Sequence, residues 1–249
     1  MLTYKAPHDL LRNKFILITG AGDGIGREAA MAYGAHGAQL ILLGRTQSKL
    51  QAVHDALVDQ GALPPRLITL DLLKAHAAEY QGLAAELQHA FSHLDGALLN
   101  AGLLGSLTPV AQIAEQEWQQ VLQVNLTSSM LMIQAMLPLL SASPSASVIL
   151  TSSGVGRRGR ANWGSYAVSK FGTEGLMQVL ADELRHSAIR VNCINPGATR
   201  TKMRAQACPN EDPRTLKTAA ELMPLYLYLM GDESQAVRGE SLDAQPKGD

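Results

Sequence analysis

Six short runs in this chain are predominantly apolar rather than alternating between apolar and polar residues. They are Phe15-Ile16-Leu17-Ile18-Thr19, Gln39-Leu40-Ile41-Leu42-Leu43, Arg66-Leu67-Ile68-Thr69-Leu70, Ala97-Leu98-Leu99, Ser147-Val148-Ile149-Leu150-Thr151 and the run from Ile189 to Ile194. A half-exposed strand alternates; a strand covered on both faces does not. Longer amphipathic stretches separate the runs, at 24–35, 118–140 and 165–186, with Thr46 placed to cap another helix. Leu242 marks a last short strand. Strand–helix repetition of this kind builds an α/β domain: a doubly wound parallel sheet of about seven strands with helices on both faces.

Bulk properties narrow the function. No linker, charge block or low-complexity segment divides the 249 residues, so 1–249 reads as one domain. The net charge of −1 gives no basic field for nucleic acid or an anionic membrane. Two cysteines, Cys193 and Cys208, make no disulfide framework and fit a reducing cytoplasm. The segment from Met1 to Asp9 lacks a long apolar run, so no secretory leader is expected, and no run of about 18 apolar residues predicts a membrane span. Scattered histidines, with no paired Cys/His spacing, predict no metal site.

In sheets of this kind a ligand sits beyond the carboxyl ends of the strands. The first strand is followed by Thr19-Gly20-Ala21-Gly22-Asp23-Gly24-Ile25-Gly26. Glycines there let the backbone approach a pyrophosphate lying on a helix N-terminus. The spacing is TGxxxGxG, with Gly20, Gly24 and Gly26, rather than GxGxxG. Asp23 is an odd neighbour for phosphates and is expected to face solvent or cap the helix start. After the second strand, Gly44 stands where an acid would bind a ribose 2′-hydroxyl, and Arg45 follows. A guanidinium can grip a 2′-phosphate, so NADP(H) is preferred, with NAD(H) possible; the other reading is that Arg45 only covers the adenine. Asp71, with Leu72 beside it, could accept from the adenine amino group, and Asn100-Ala101-Gly102 provides small residues where a cofactor crosses the sheet edge.

The fifth strand ends at Ser152-Ser153, and the next helix carries Tyr166 and Lys170 on one face. A nearby ammonium favours phenolate, which would lower the Tyr166 pKa and make it a usable general acid/base. Ser153 could hydrogen-bond the same substrate oxygen.

Together these pieces, with Val124-Asn125-Leu126 and Asn195-Pro196-Gly197, resemble the short-chain dehydrogenase/reductase family over nearly the whole chain. The resemblance implies a Rossmann-type fold and hydride transfer between NADP(H) and a small carbonyl or secondary alcohol substrate. It implies that Tyr166 exchanges the proton, Lys170 binds the nicotinamide ribose, Ser153 orients the carbonyl and Asn125 holds a water in a kinked helix. Pro196 and Gly197, with Thr199 or Thr201, would bracket the nicotinamide. It also implies a homodimer or homotetramer paired through 118–140 and 165–186. Within the family, 41–45, 159–164 and 223–232 are similar to one bacterial group of oxidoreductases.

Three features stand apart. Residues 1–12 are an amino-terminal extension, the substrate-loop region of about 199–216 is short and polar, and the tail at 242–246 lacks the family's usual DGG. Arg157, Arg158 and Arg160 form either a solvated loop or an electropositive rim for anionic substrates, beside Trp163 as a packing or wall residue. Against an oxidoreductase stand a regulatory or scaffold protein of the same fold with little catalysis, and an epimerase or dehydratase.

Overall fold

The computed structural model describes residues 4–246, so the first three residues of the amino-terminal extension lie outside the described residues. Seven parallel strands form one sheet: β1 (Phe15–Thr19), β2 (Gln39–Gly44), β3 (Arg66–Thr69), β4 (Gly96–Leu99), β5 (Ala146–Thr151), β6 (Ile189–Asn195) and, last in the chain, β9 (Ser241–Asp243). Their spatial order is β3-β2-β1-β4-β5-β6-β9, so the chain reverses direction between β1 and β4. The register runs Ile16 to Gly96 and Thr19 to Leu99 across that switch point. This is the doubly wound α/β arrangement expected from the sequence.

Both faces of the sheet are covered, which is why the strands carry little polar residue. Ile16, Ile18, Leu40 and Leu42 pack with α1 (Gly24–Ala35), α2 (Gln47–Asp59) and α8 (Met223–Met230). The alternate residues Leu17, Ile41 and Leu43 join the opposite cluster, with α3 (Ala77–Ala90), α5 (Ser128–Ser141) and α6 (Gly164–Glu183). β6 departs from the apolar pattern: Arg190 and Asn192 alternate with Ile189, Val191 and Cys193, yet both are buried. Arg190 caps the carboxyl end of α8, donating to the Leu229 carbonyl at 3.0 Å, the Gly231 carbonyl at 3.1 Å and Ser234 Oγ at 2.7 Å. A guanidinium is well suited to the unpaired carbonyls and negative dipole end of a helix.

Three local expectations change. Thr46 precedes α2, but its side chain makes no capping bond. The helix expected over 118–140 runs further, as α4 (Glu115–Leu122), a π-helical turn (Gln123–Thr127) and α5 in continuity. By length and composition alone that 27-residue helix could cross a membrane, although its sequence holds no unbroken run of about 18 apolar residues. Its apolar residues instead serve the core: Met132, Ile133, Met136, Leu139 and Leu140 pack under the sheet. The region 199–216 is not simply a loop. It holds β7 (Thr199–Arg200) and α7 (Lys202–Ala207), and β7 pairs with β8 (Lys217–Thr218).

Candidate active site

The carboxyl ends of β1 to β6 open into a cavity of about 530 Å³. Gly20, Asp23, Gly24, Ile25, Arg45, Asp71, Leu72, Asn100, Ala101, Gly102, Ser153, Tyr166, Lys170, Pro196, Gly197, Thr199 and Thr201 all line it. Sheet order puts Arg45 and Asp71 on one side of the switch point and Ser153 and Pro196 on the other. Gly26 and Asn125, also expected in the site, do not line the cavity.

The turn after β1 is shaped by what is missing from it. Gly20 has φ of 68° and Gly24 of 52°, the left-handed region that a side chain disfavours. A Cβ on Gly26 would stand 2.3 Å from the Gly20 carbonyl oxygen, so Gly26 acts by letting α1 pack onto β1 rather than by touching a ligand. The amides of Ile25 and Gly26, at the start of α1, have no acceptor among the described residues. Open N–H groups beside a positive dipole end suit an anion, so the pyrophosphate of a dinucleotide fits here. Asp23 is compatible with this because it is neutralised. Its Oδ1 accepts from the Gly24 amide at 2.9 Å, and its Oδ2 accepts from Lys49 Nζ at 2.8 Å and Lys202 Nζ at 2.9 Å. These bonds, led by Lys49 and then Lys202, hold its carboxyl down at about 2. Arg45 is exposed at the cavity with no partner among the described residues, and Asp71 Oδ1 accepts from the Leu73 amide at 3.1 Å.

Thr19, quoted in the motif but not assigned a role, ties the strand ends together. Its buried hydroxyl accepts from the amides of Asn100 at 3.0 Å and Ala101 at 3.1 Å. Asn100 Oδ1 in turn accepts from Thr151 Oγ1 at 3.2 Å, and the Thr151 carbonyl accepts from Lys170 Nζ at 2.7 Å. Hydrogen bonds thus run from the glycine turn across β4 and β5 to the lysine.

Lys170 is buried at 3% exposure, and its ammonium lies 5.6 Å from the Tyr166 ring centroid. Burial lowers its pKa to about 8, opposed by the nearby Glu174 carboxylate. Burial likewise pushes Tyr166 up to about 12, and the facing Ser153 hydroxyl works the other way. The direction is opposite to the expected lowering by Lys170: burial raises the phenol, and the opposing influence comes from Ser153. Trp163 meets Tyr166 edge-on, with ring centroids 5.9 Å apart.

Asn125 sits inside the π-helical turn that joins α4 to α5. Its side chain is committed to protein: Oδ1 accepts from the Leu103 amide at 2.7 Å, and Nδ2 donates to the Leu103 carbonyl and to Ser169 Oγ, both at 2.9 Å. That clamps the loop after β4 against α6. Arg157 does not belong to a substrate rim; it bonds Glu174, Ser241 and Asp243. Arg158 and Arg160 are exposed and do not line the cavity, although Arg160 lies over the Trp163 ring at 5.9 Å. Among the described residues, no three His, Cys, Asp or Glu side chains cluster as a metal site would require.

Several site residues escaped the sequence reading. Lys49, in the first turn of α2, reaches the cavity and Asp23, a contact with no local sequence signal. Lys202 and Met203 reach the cavity from α7, and Gln245 holds the β6–β7 loop by donating to the carbonyls of Pro196 at 2.8 Å and Ala198 at 3.0 Å. The tail that lacks DGG therefore still fixes this loop.

The switch-point glycine turn, and a Tyr and Lys at the far strand ends of the same cavity, define a dinucleotide-dependent oxidoreductase fold. The profile described as short chain dehydrogenase matches residues 14–212, and the chain belongs to that family. It is 53% identical over 243 residues to the oxidoreductase YciK of Escherichia coli (strain K12), covering 98% of this chain and 96% of that protein. A short chain dehydrogenase from Escherichia coli CFT073, solved in complex with NADPH, is 53% identical with a TM-score of 0.95, covering 96% of this chain and 100% of that one. Its counterpart from Shigella flexneri 2a str. 301, complexed with NADP, is 52% identical with a TM-score of 0.95 and the same coverage. The bacterial group resembled by 41–45, 159–164 and 223–232 is thus the YciK type.

The lowered Lys170 pKa gives a stability prediction. Below about pH 8 the side chain is protonated in folded and unfolded chains alike; above its ordinary value of 10.5 it is neutral in both. Between these the unfolded chain binds more protons, so stability rises with pH. Relative to Lys170→Met, the wild type should gain up to roughly 3 kcal/mol across that window. Urea unfolding of both proteins at pH 7 and pH 10.5 measures it, and an equal difference at the two values would refute it.

Proposed function

We propose that this chain is an NADP(H)-dependent reductase of small carbonyl compounds, or the corresponding alcohol dehydrogenase, with Tyr166 as the proton-exchanging group. The observation that carries this reading is the single cavity that joins the glycine turn to Ser153, Tyr166 and Lys170. Bound there, the nicotinamide supplies or accepts the hydride. A phenol whose pKa is about 12 stays protonated at neutral pH, which suits donation to a carbonyl oxygen during reduction. Ser153 faces the same phenol and would share that oxygen. Lys170, held on the Thr151 carbonyl, keeps donors for a ribose hydroxyl. Asn125 supports the site by holding the loop at Leu103.

Preference for NADP(H) over NAD(H) is supported by Gly44 in the place of an acid, by the unpaired Arg45, and by relatives solved with NADP and NADPH. Leu104, Trp163 and Met203 make part of the substrate wall apolar. Free thiols at Cys193 and Cys208 fit work in the reducing cytoplasm. A homo-oligomer fits the outer face of α6, where Val168, Phe171 and Val179 are 45%, 45% and 55% exposed; Met130 of α5 is 39% exposed. Such a stripe is what a partner helix buries.

Tyr166→Phe should cut turnover of NADPH with a panel of ketones, aldehydes and quinones by about 100-fold or more, with NADPH affinity retained. Tight NADPH binding without consumption of any carbonyl in the wild type would favour a regulatory or scaffold protein instead. Arg45→Asp should reduce the NADPH-over-NADH ratio in kcat/KM by roughly tenfold or more; an unchanged ratio sinks the 2′-phosphate assignment. Light scattering should find a dimer or tetramer for the wild type and a monomer for Phe171→Glu, and a monomeric wild type would dismiss the pairing.

A further inference from the structure

Behind the Tyr166–Lys170 pair lies a buried carboxylate that the reaction itself does not use. Glu174 follows Lys170 by one turn of α6 and Tyr166 by two, so the three share a helix face. It is 7% exposed. Every polar contact it makes is to a donor: the Ser152 hydroxyl, the Ser241 hydroxyl at 2.7 Å and Arg157 Nε at 3.4 Å. Arg157 then reaches Asp243 at 2.8 Å, and Asp243 accepts from Asn195 Nδ2 at 2.7 Å. Four segments therefore converge on one carboxylate: the end of β5, the loop after it, α6 and β9.

Ser152 is the informative contact. It stands between Thr151, whose carbonyl holds Lys170 Nζ, and Ser153, whose hydroxyl faces Tyr166. Ser152 is also tied through its amide to the Ile194 carbonyl at 2.7 Å. Its backbone is thus held from β6 and its side chain from α6, which fixes the two neighbours that the site needs. The groups around the Lys170 ammonium are Tyr166 and Glu174 on its own helix and Cys193 on β6; Arg157 and Asp243 lie beyond Glu174.

Resting on the reading of Tyr166 and Lys170 given above, we propose that Glu174 is a positioning residue for that pair. Its carboxylate fixes Ser152 between the Lys170-holding carbonyl and the Tyr166-facing hydroxyl, and it sets a negative charge beside the buried ammonium. Arg157 and the closing strand β9 anchor that carboxylate from outside. The charge keeps Lys170 protonated, and so able to donate, at a pH where burial alone would strip it.

The test needs no known substrate. The dissociation constant of NADPH is measured by fluorescence from pH 6 to pH 10 for the wild type, Glu174→Gln, Arg157→Met and Lys170→Met. The wild type should lose affinity along a limb near pH 8, where Lys170 titrates. Glu174→Gln removes a negative charge and should move that limb toward acid by on the order of one pH unit. Arg157→Met removes a positive charge from the far side of Glu174 and should move it toward alkali. A merely structural role would not produce opposite signs. Limbs unmoved in both variants, or moved the same way, overturn the proposal; if Glu174→Gln does not fold, the direction for Arg157→Met decides alone. A limb that persists in Lys170→Met would remove the functional reading of Lys170, and this proposal with it. A limb lost in Lys170→Met yet unmoved in the other two overturns the role of Glu174 alone.

Discussion

A buried ammonium must find an acceptor, and in this protein that requirement organises the site. Lys170 is almost wholly out of water and donates to the Thr151 carbonyl at the last residue of β5. Leaving a buried charge without such a partner costs several kcal/mol. The bond therefore holds α6 against the end of β5. Because Tyr166 is one turn earlier on the same helix, it also fixes where the phenol stands. The same burial that demands the bond raises Tyr166 and lowers Lys170, so both proton-carrying groups take their character from desolvation more than from each other.

The cofactor half of the cavity follows from the opposite kind of constraint, the absence of side chains. Gly26 allows α1 to lie against the Gly20 carbonyl, and the helix start then presents open amides to the cavity. Thr19 joins this half to the other by bonding two amides at the end of β4. The switch point between β1 and β4 supplies the opening, while hydrogen bonds along the strand ends keep its two sides in register.

What the sequence made legible was local or periodic. The glycine turn, the bounds of α1 at Gly24–Ala35 and the apolar strands each depend on neighbours within a few residues, and they stand where the pattern put them. Other features depend on distant partners and left no local trace. Arg157 looks like one of three loop cations, yet it is bound to Glu174 and Asp243, 17 and 86 residues away. Asp23 looks misplaced beside a phosphate until Lys202 arrives from α7, 179 residues later. The long helix 115–141 meets the length and apolarity of a membrane span because a sheet-covering helix is screened from water in the same way. The shifted pKa of Tyr166 could not be read from its spacing to Lys170, since spacing reports proximity and not desolvation.

Helix α6 carries Tyr166 and Lys170 on one side and exposed apolar residues on another. Tyr166, Lys170, Glu174 and Met177 fall on its buried side. At 100° per residue, Val168, Phe171 and Val179 fall on the other. Its exposed side thus mixes these apolar residues with polar ones such as Gln178 and Glu183, unlike the polar outer face of an ordinary surface helix. Two glycines contribute: Gly172 lets Leu126 of the π-helical turn pack close, and Gly175 leaves the outer face flat. Asn125, bonded to Ser169 of α6, ties that helix to the π-helical turn. The exposed apolar stripe and the face that carries Tyr166 and Lys170 are therefore opposite sides of one helix.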